Sequence, residues 1–175
     1  MKQIEVKCNM DNNSIVEDCI TKALYKLIDK KKLENITIKE LVELAGVSRI
    51  SFYRHYDSKI DVLHKELDKM IDKYINEYYQ ELNNSNLEYN IINLFNLFYE
   101  YKDLGTALYK SNSLYLIQQQ FYKSIDTKLS KYDLYARSFY SGGIYNTLLL
   151  WISTGYKEKP EFLVSIILNI LKRDL

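Results

Sequence analysis

The chain has 175 residues, of which 47% are hydrophobic, so it is long enough to form a sizeable core in one or two domains. Its 24 Lys and Arg residues nearly balance its 23 Asp and Glu residues, and the formal net charge is only +1. This balance excludes binding to a polyanion through global basicity, so any basic surface must come from local clustering.

The ends and the cysteines of the chain indicate its compartment. Residues 1–13 are polar, lack the apolar core of a signal peptide and predict a disordered leader. The most apolar runs, such as Leu148–Ile152, are far too short to span a membrane. Cys8 and Cys19 have no metal-ligand spacing, and we expect reduced thiols. We therefore predict a cytoplasmic protein with no membrane partner, no metal and no cofactor.

Apolar residues recur every three or four positions along nearly the whole chain, which contains one Pro and only five Gly residues. This periodicity predicts an all-α fold. The predicted helices are Ile15–Lys31, Ile38–Ala45, Arg49–His55, a long helix that begins after Ser58, Leu87–Lys102, a short helix near Thr106–Tyr109, Ser113–Leu129, Leu134–Thr154 and Pro160–Arg173. A break is expected at Asn83–Asn86, and a turn is expected at Gly105.

Two short predicted helices meet at Gly46 within the segment Ile38–Lys59. Gly46 supplies the left-handed conformation that ends the first of them, and Ser48 can cap the second. Such a pair is typical of a helix-turn-helix, which presents its second helix to the major groove of DNA. We therefore expect residues 14–57 to form a three-helix DNA-binding domain. Residues 58–175 then form a helical effector-binding and dimerisation domain, with the long fourth helix as the connector.

The side chains of the second helix of this pair suit DNA. We expect Phe52 to face the core, whereas Arg49, Ile50, Tyr53 and Arg54 face outward. Hydroxyl, imidazole and ammonium groups suit phosphate oxygens, an arginine suits a guanine edge, and an apolar side chain suits a thymine methyl. The candidate DNA-binding residues are Thr37, Ser48, Arg49, Ile50, Ser51, Tyr53, Arg54, His55 and Lys59.

The alternative is a plain helical hairpin in which Gly46 is an ordinary C-cap and the aromatic residues are core. Tyr53, Arg54 and His55 follow one another and lie on different faces of a helix, so they cannot all be core. Resemblance to a known family also counts against this alternative.

Residues Thr37–Leu63 resemble the DNA-binding signature of TetR-family transcriptional regulators in the Ala-Gly-Val-Ser turn, the Phe-Tyr-Arg-His-Tyr run and the following Ser-Lys. The resemblance implies a homodimer that places two copies of the third helix in successive major grooves of double-stranded DNA. Its matching positions are Thr37, Ser48, Arg49, Ser51, Tyr53, His55 and Lys59. Ile50 departs from the pattern, because the family often has a small residue there. The run Phe139–Tyr145, with Leu150–Ile152, Gly155 and Pro160, resembles the C-terminal region of the dihydroxyacetone kinase regulator subgroup.

The last helix is apolar nearly all round and therefore needs more than one packing surface. Two adjacent glycines in the preceding predicted helix each cost about 1 kcal/mol relative to Ala, and close helix packing offsets that cost. Pairing of the last two helices with a second copy meets both needs, whereas the alternative is a monomer that buries the last helix in its own core. The predicted interface residues are Gly142, Gly143, Trp151, Phe162, Ile166 and Ile170.

The chain also contains 17 tyrosines, many of them in its second half. Phe95, Tyr99, Tyr115, Phe121 and Tyr122 are candidates to line a pocket for a small-molecule effector of unknown identity. The alternatives are that these residues only pack, and that a partner protein controls the domain without a pocket.

The sequence has no phosphate-binding glycine loop, no Cys or His cluster and no nucleophile beside a base, so we predict no enzyme. We therefore predict a sequence-specific DNA-binding regulator of transcription, with repression favoured over activation.

Overall fold

The structure, a computed structural model, describes residues 13–78, 87–123 and 130–173. Within these ranges it contains nine α-helices, one short 3-10 helix and no β-strand, which confirms the all-α fold. The helices are α1 (Asn13–Ile28), α2 (Ile38–Ala45), α3 (Arg49–His55), α4 (Lys59–Tyr78), α5 (Leu87–Glu100), α6 (Lys102–Lys110), α7 (Tyr115–Lys123), α8 (Lys131–Ser153) and α9 (Pro160–Arg173), with the 3-10 helix at Leu33–Asn35. Residues 1–12 of the predicted leader and the predicted break at 83–86 lie outside the described residues.

The chain divides into two compact units, one that ends at Asp68 and one that begins at Lys69. This division falls within α4, whereas the sequence-based boundary was placed between residues 57 and 58. The sequence-based boundary assigns the whole of α4 a connecting role, and that assignment remains a prediction.

The first unit is a small helical core in which α1 packs on α2 and α3. Its centre is made of fully buried side chains, one or more from each of α1 to α4. These include Ile20, Leu24, Leu41, Phe52 and Leu63. Because α4 contributes Leu63, its first turns belong to the same core as the two short helices.

Three residues set the ends of α2 and α3 at the predicted positions. The Thr37 hydroxyl accepts the Glu40 amide at 3.2 Å, and the Ser48 hydroxyl accepts the Ser51 amide at 3.0 Å. Gly46 ends α2 with φ of 70°, in the left-handed region that a glycine enters without strain. The predicted bounds of both helices are therefore confirmed.

The second unit contains an aromatic cluster around Trp151. The rings of Phe95 and Tyr99 lie 5.5 and 5.9 Å from that of Trp151, and the ring of Tyr156 lies 4.8 Å from it. The Trp151 indole N–H donates to the Glu158 carbonyl at 3.0 Å. These contacts join α5, α8 and the connection between α8 and α9, where Gly155 ends the helix with φ of 80°.

The predicted turn at Gly105 is wrong, because α6 continues through this residue. Gly105 is buried, and a Cβ atom at this position would lie 1.9 Å from the Tyr156 hydroxyl oxygen. The glycine therefore permits the close approach of Tyr156 and marks no change of chain direction. Burial raises the pKa of Tyr156, and the nearby Asp103 raises it further.

Two further sequence expectations concern the compartment. Cys19 is disulfide-bonded, so the expectation of reduced thiols is wrong. Within the described ranges, no helix is long and apolar enough to cross a membrane.

We predict that Gly105→Ala destabilises the second unit by about 1–3 kcal/mol, because the added methyl group overpacks the contact with Tyr156. Chemical denaturation measures the loss. Tyr156→Phe removes the clashing oxygen, which has no hydrogen-bond partner among the described residues. The double variant of Gly105→Ala and Tyr156→Phe should therefore recover part of the lost stability. A double variant no more stable than Gly105→Ala alone contradicts this account.

Candidate nucleic-acid interface

Helix α3 exposes one face to solvent, and Phe52 on its opposite face anchors it in the core. Ile50 is 76% exposed and Tyr53 is 58% exposed, whereas Phe52 is completely buried. Arg49 and Arg54 are also exposed, so the four side chains predicted to face outward all do so. This face carries two positive charges, one aliphatic side chain and one aromatic ring.

The hydroxyl groups at the starts of α2 and α3 have a structural role that is compatible with a second contact. Thr37 and Ser48 use an oxygen lone pair to accept a backbone amide. A hydroxyl group has one donor and two acceptor positions, so each O–H remains able to donate to a phosphate oxygen. Ser51, whose amide is capped by Ser48, is half-buried.

His55 is held inside its own unit. Its side chain is only 8% exposed, and its Nδ1 lies 3.2 Å from a carboxylate oxygen of Glu17 on α1. The backbone carbonyl of His55 accepts the Lys65 ammonium group at 2.6 Å. The imidazole therefore joins α3 to α1, and its predicted phosphate contact remains a prediction.

Lys59 is also engaged within its unit. Its ammonium group donates to the carbonyls of Leu33, Glu34 and Ile36 at 2.6, 3.3 and 2.5 Å. Burial lowers the pKa of Lys59, and the positive charge of Lys31 lowers it further. Its predicted phosphate contact likewise remains a prediction.

An ion pair between a lysine and a carboxylate fixes the approach to α2. The Lys31 ammonium group lies 2.5 Å from a carboxylate oxygen of Glu40, which joins the segment after α1 to the first turn of α2. The hydrogen bond from Lys31 lowers the pKa of Glu40, and the charge of Lys31 adds to this effect.

Sequence reasoning missed the residues that position the candidate interface, namely Glu17, Lys31 and Lys65. Glu17 follows Ser14 by three residues, the spacing of a capping box, so its local signal concerns only the start of the first helix. Its pairing with His55 joins residues 38 positions apart in the chain, and local spacing carries no signal for such a contact.

The predicted dimer residues fall into two groups. Phe162, Ile166 and Ile170 are exposed on α9. Apart from the adjacent backbone of α8, a Cβ atom at Gly142 or Gly143 would meet no atom of the described residues within 4 Å. Trp151 is buried within its own chain, where it holds the aromatic cluster together. Helix α8 adds exposed apolar side chains that sequence reasoning missed, namely Tyr132, Tyr135, Phe139 and Leu150.

The five predicted pocket residues have different surroundings within the described ranges, and their role in a pocket remains a prediction. Phe95 is completely buried in the aromatic cluster, Tyr99 stacks on the same tryptophan, and Phe121 packs against Tyr145 at 5.7 Å. Tyr115 and Tyr122 are exposed. A groove of about 320 Å³ lies between α5 and α9, and none of the five lines it; its lining is Glu88, Ile92, Glu161, Val164, Ser165, Leu168 and Asn169.

Comparisons with known proteins agree with this arrangement. Residues 20–65 match the family described as bacterial regulatory proteins, tetR family, and residues 85–173 match the family described as transcriptional regulator C-terminal region. No curated protein gives a significant match to the sequence.

Two solved structures are similar over nearly the whole chain. The fatty acid degradation regulator FadR from Bacillus halodurans has 16% identity and a TM-score of 0.62, and the match covers 89% of this chain and 94% of that chain. A TetR transcriptional regulator from Streptococcus agalactiae 2603V has 20% identity and a TM-score of 0.58, and the match covers 90% and 94% of the two chains. At these identities the likeness concerns the fold alone.

Proposed function

We propose that this chain, which belongs to the tetR family of bacterial regulatory proteins, binds a specific DNA operator through α3 and represses transcription as a cytoplasmic homodimer. The observation that carries the proposal is the outward face of α3, where Arg49, Ile50, Tyr53 and Arg54 are exposed around the buried Phe52. Arginine can read a guanine edge in the major groove, and an apolar or aromatic side chain can contact a thymine methyl. Repression follows if the bound dimer obstructs a promoter.

The hydroxyl groups of Thr37, Ser48 and Ser51 complete this proposed site as phosphate contacts. They flank the outward face of α3 at the starts of the two short helices. Phosphate contacts set the position of a protein on the duplex, whereas base contacts select the sequence. We therefore assign orientation to the hydroxyl groups and selectivity to Arg49, Ile50 and Tyr53.

The dimer proposal rests on exposed apolar surface and on charge. Phe162, Ile166 and Ile170 on α9, with Phe139 and Leu150 on α8, would pack against the same residues of a second copy. Gly142 and Gly143 would allow a close approach of the partner helix, because the space beside them is open. A nearly neutral chain with a small basic surface gains affinity from two linked copies of that surface.

The second unit could control DNA binding in two ways. A small-molecule effector that prefers one arrangement of the C-terminal helices would shift the population of DNA-competent dimers. Exposure of Tyr115 and Tyr122 and close packing around Phe95 favour the other form, in which a partner protein acts on the unit's surface. The similarity to the dihydroxyacetone kinase regulator subgroup remains a proposal about ancestry and names no effector.

We predict that Tyr53→Ala weakens binding to the protein's operator by about tenfold or more, because each lost base contact costs about 1–3 kcal/mol. Mobility shift with DNA selected by the wild-type protein measures the change. Tyr109→Ala is the matched control, because Tyr109 is also an exposed tyrosine but lies on α6 of the second unit. Equal affinity of the Tyr53 variant, the control and the wild type would remove α3 from the proposed site.

We predict that Ile166→Glu weakens dimerisation by about 100-fold or more, because an unpaired charge buried in an interface costs about 3–5 kcal/mol. Sedimentation equilibrium measures the association. Ile75→Glu is the control, because Ile75 on α4 is 44% exposed and Ile166 is 41% exposed. A dimer that survives Ile166→Glu, or that both variants weaken equally, argues against an interface built from α9.

A further inference from the structure

The ammonium group of Lys59 has no donor left for a further contact. An ammonium group carries three N–H donors, and Lys59 donates to three backbone carbonyls, those of Leu33, Glu34 and Ile36. To reach a DNA phosphate, it would have to leave at least one of these carbonyls. The same geometry that fills its donors therefore argues for a role inside the protein.

The three carbonyls belong to the turn that leads into α2. Leu33 and Glu34 lie in the 3-10 helix, and Ile36 follows it directly before Thr37, the N-cap of α2. The Leu33 carbonyl also accepts the Ile36 amide at 3.2 Å, so Lys59 uses its second lone pair. Carbonyls at the end of a helical turn carry partial negative charge, which favours a cation. Lys59, the first residue of α4, thus ties that helix to the segment that positions α2.

Lys65 makes the matching contact at the end of α3. Its ammonium group donates to the carbonyl of His55, the last residue of α3, at 2.6 Å. It also lies 3.2 Å from a carboxylate oxygen of Asp61 and 5.3 Å from the centre of the Tyr56 ring. The Asp61 carboxylate in turn accepts the backbone amide of Asp57 at 3.0 Å.

We propose that Lys59 and Lys65 are positioning residues that clamp the first turns of α4 to the entrance of α2 and the end of α3. A tilt of this part of α4 then carries both short helices with it, because independent motion would break charge-assisted hydrogen bonds at two points. This inference rests on the proposed DNA-binding function and deepens it. Lys59, which holds the entrance of α2, and Lys65, which holds the end of α3, together set the orientation of the two short helices on the operator, and Lys59 makes no phosphate contact itself.

The cost of burying Lys59 supports this role. Desolvation lowers its pKa, and Lys31 places a like charge nearby, so the ammonium group is held in an unfavourable electrostatic setting. Three hydrogen bonds to carbonyls compensate for that setting. A lysine that is exposed to solvent until it binds DNA would be hydrated and would not need such bonds.

Lysine acetylation of the native protein tests the clamp without any substitution. A brief pulse of an N-hydroxysuccinimide ester of acetate, followed by peptide mass spectrometry, gives the reactivity of each lysine in the free protein and with operator DNA. Lys22 and Lys39 are the exposed comparators, with side chains 74% and 67% exposed. The lowered pKa of Lys59 leaves more of it as the reactive neutral amine. We nevertheless expect Lys59 to react about tenfold or more slowly than both in the free protein, because its three hydrogen bonds must first open.

Addition of DNA should leave the reactivity of Lys59 unchanged. A Lys59 that reacts as fast as Lys22 in the free protein, and that only DNA protects, overturns the proposal. Protein that selects no DNA sequence would instead overturn the proposed function, and the free-protein arm still decides whether the carbonyls hold Lys59.

The substitution Lys59→Met separates positioning from phosphate contact. Loss of a phosphate contact weakens binding equally to all sequences and reduces the salt dependence by about 1 per subunit. Loss of positioning lowers the preference for the operator over unrelated DNA and leaves the salt dependence unchanged, which is the result we expect. Lys22→Met is the control, because it removes the same charge from an exposed site.

Two results of this experiment overturn the proposal. One is a salt dependence reduced by about 1 per subunit, as for a phosphate contact. The other is a folded Lys59→Met variant with wild-type operator preference, which would mean a purely structural lysine. Lys65→Met gives a second variant at the other end of the clamp if Lys59→Met fails to fold, and the same loss of operator preference is expected.

Discussion

Burial of Phe52 is the contact on which the proposed DNA surface depends. Helix α3 has only seven residues, and a helix of that length is not stable alone in water. It persists because Phe52 is completely buried in a core that α1, α2 and the start of α4 complete. That anchor frees the opposite face of α3, so Ile50 and Tyr53 can stay exposed at little cost to folding.

The same unit shows how charge is divided between structure and recognition. Lys31, Lys59 and Lys65 pair with a carboxylate or with carbonyls of their own unit, whereas Arg49 and Arg54 lie on the exposed face. The basic surface offered to DNA is therefore smaller than the local sequence indicates. In the proposed homodimer, two linked copies of this surface would compensate for its size, so the proposed interface on α8 and α9 would contribute to DNA binding by α3.

Local signals in the sequence are sufficient to predict where the two short helices begin and end. A glycine with positive φ and two hydroxyl caps define α2 and α3, and each acts within a few residues of its own position. Contacts between distant residues, such as Glu17 with His55 and Gly105 with Tyr156, have no local pattern. Local spacing therefore predicts a turn at Gly105, where α6 continues, and it gives no sign of the contacts that His55 and Lys59 make within the protein.

Selection of fragments from a random DNA pool by the purified protein, followed by sequencing, tests the central claim most directly. Two copies of α3 on one face of the duplex require an inverted repeat whose half-sites lie about one helical turn apart, ~34–36 Å. We predict enrichment of such a repeat. Enrichment of a single half-site, or no enrichment over the starting pool, would contradict the account of a homodimer that reads DNA through α3.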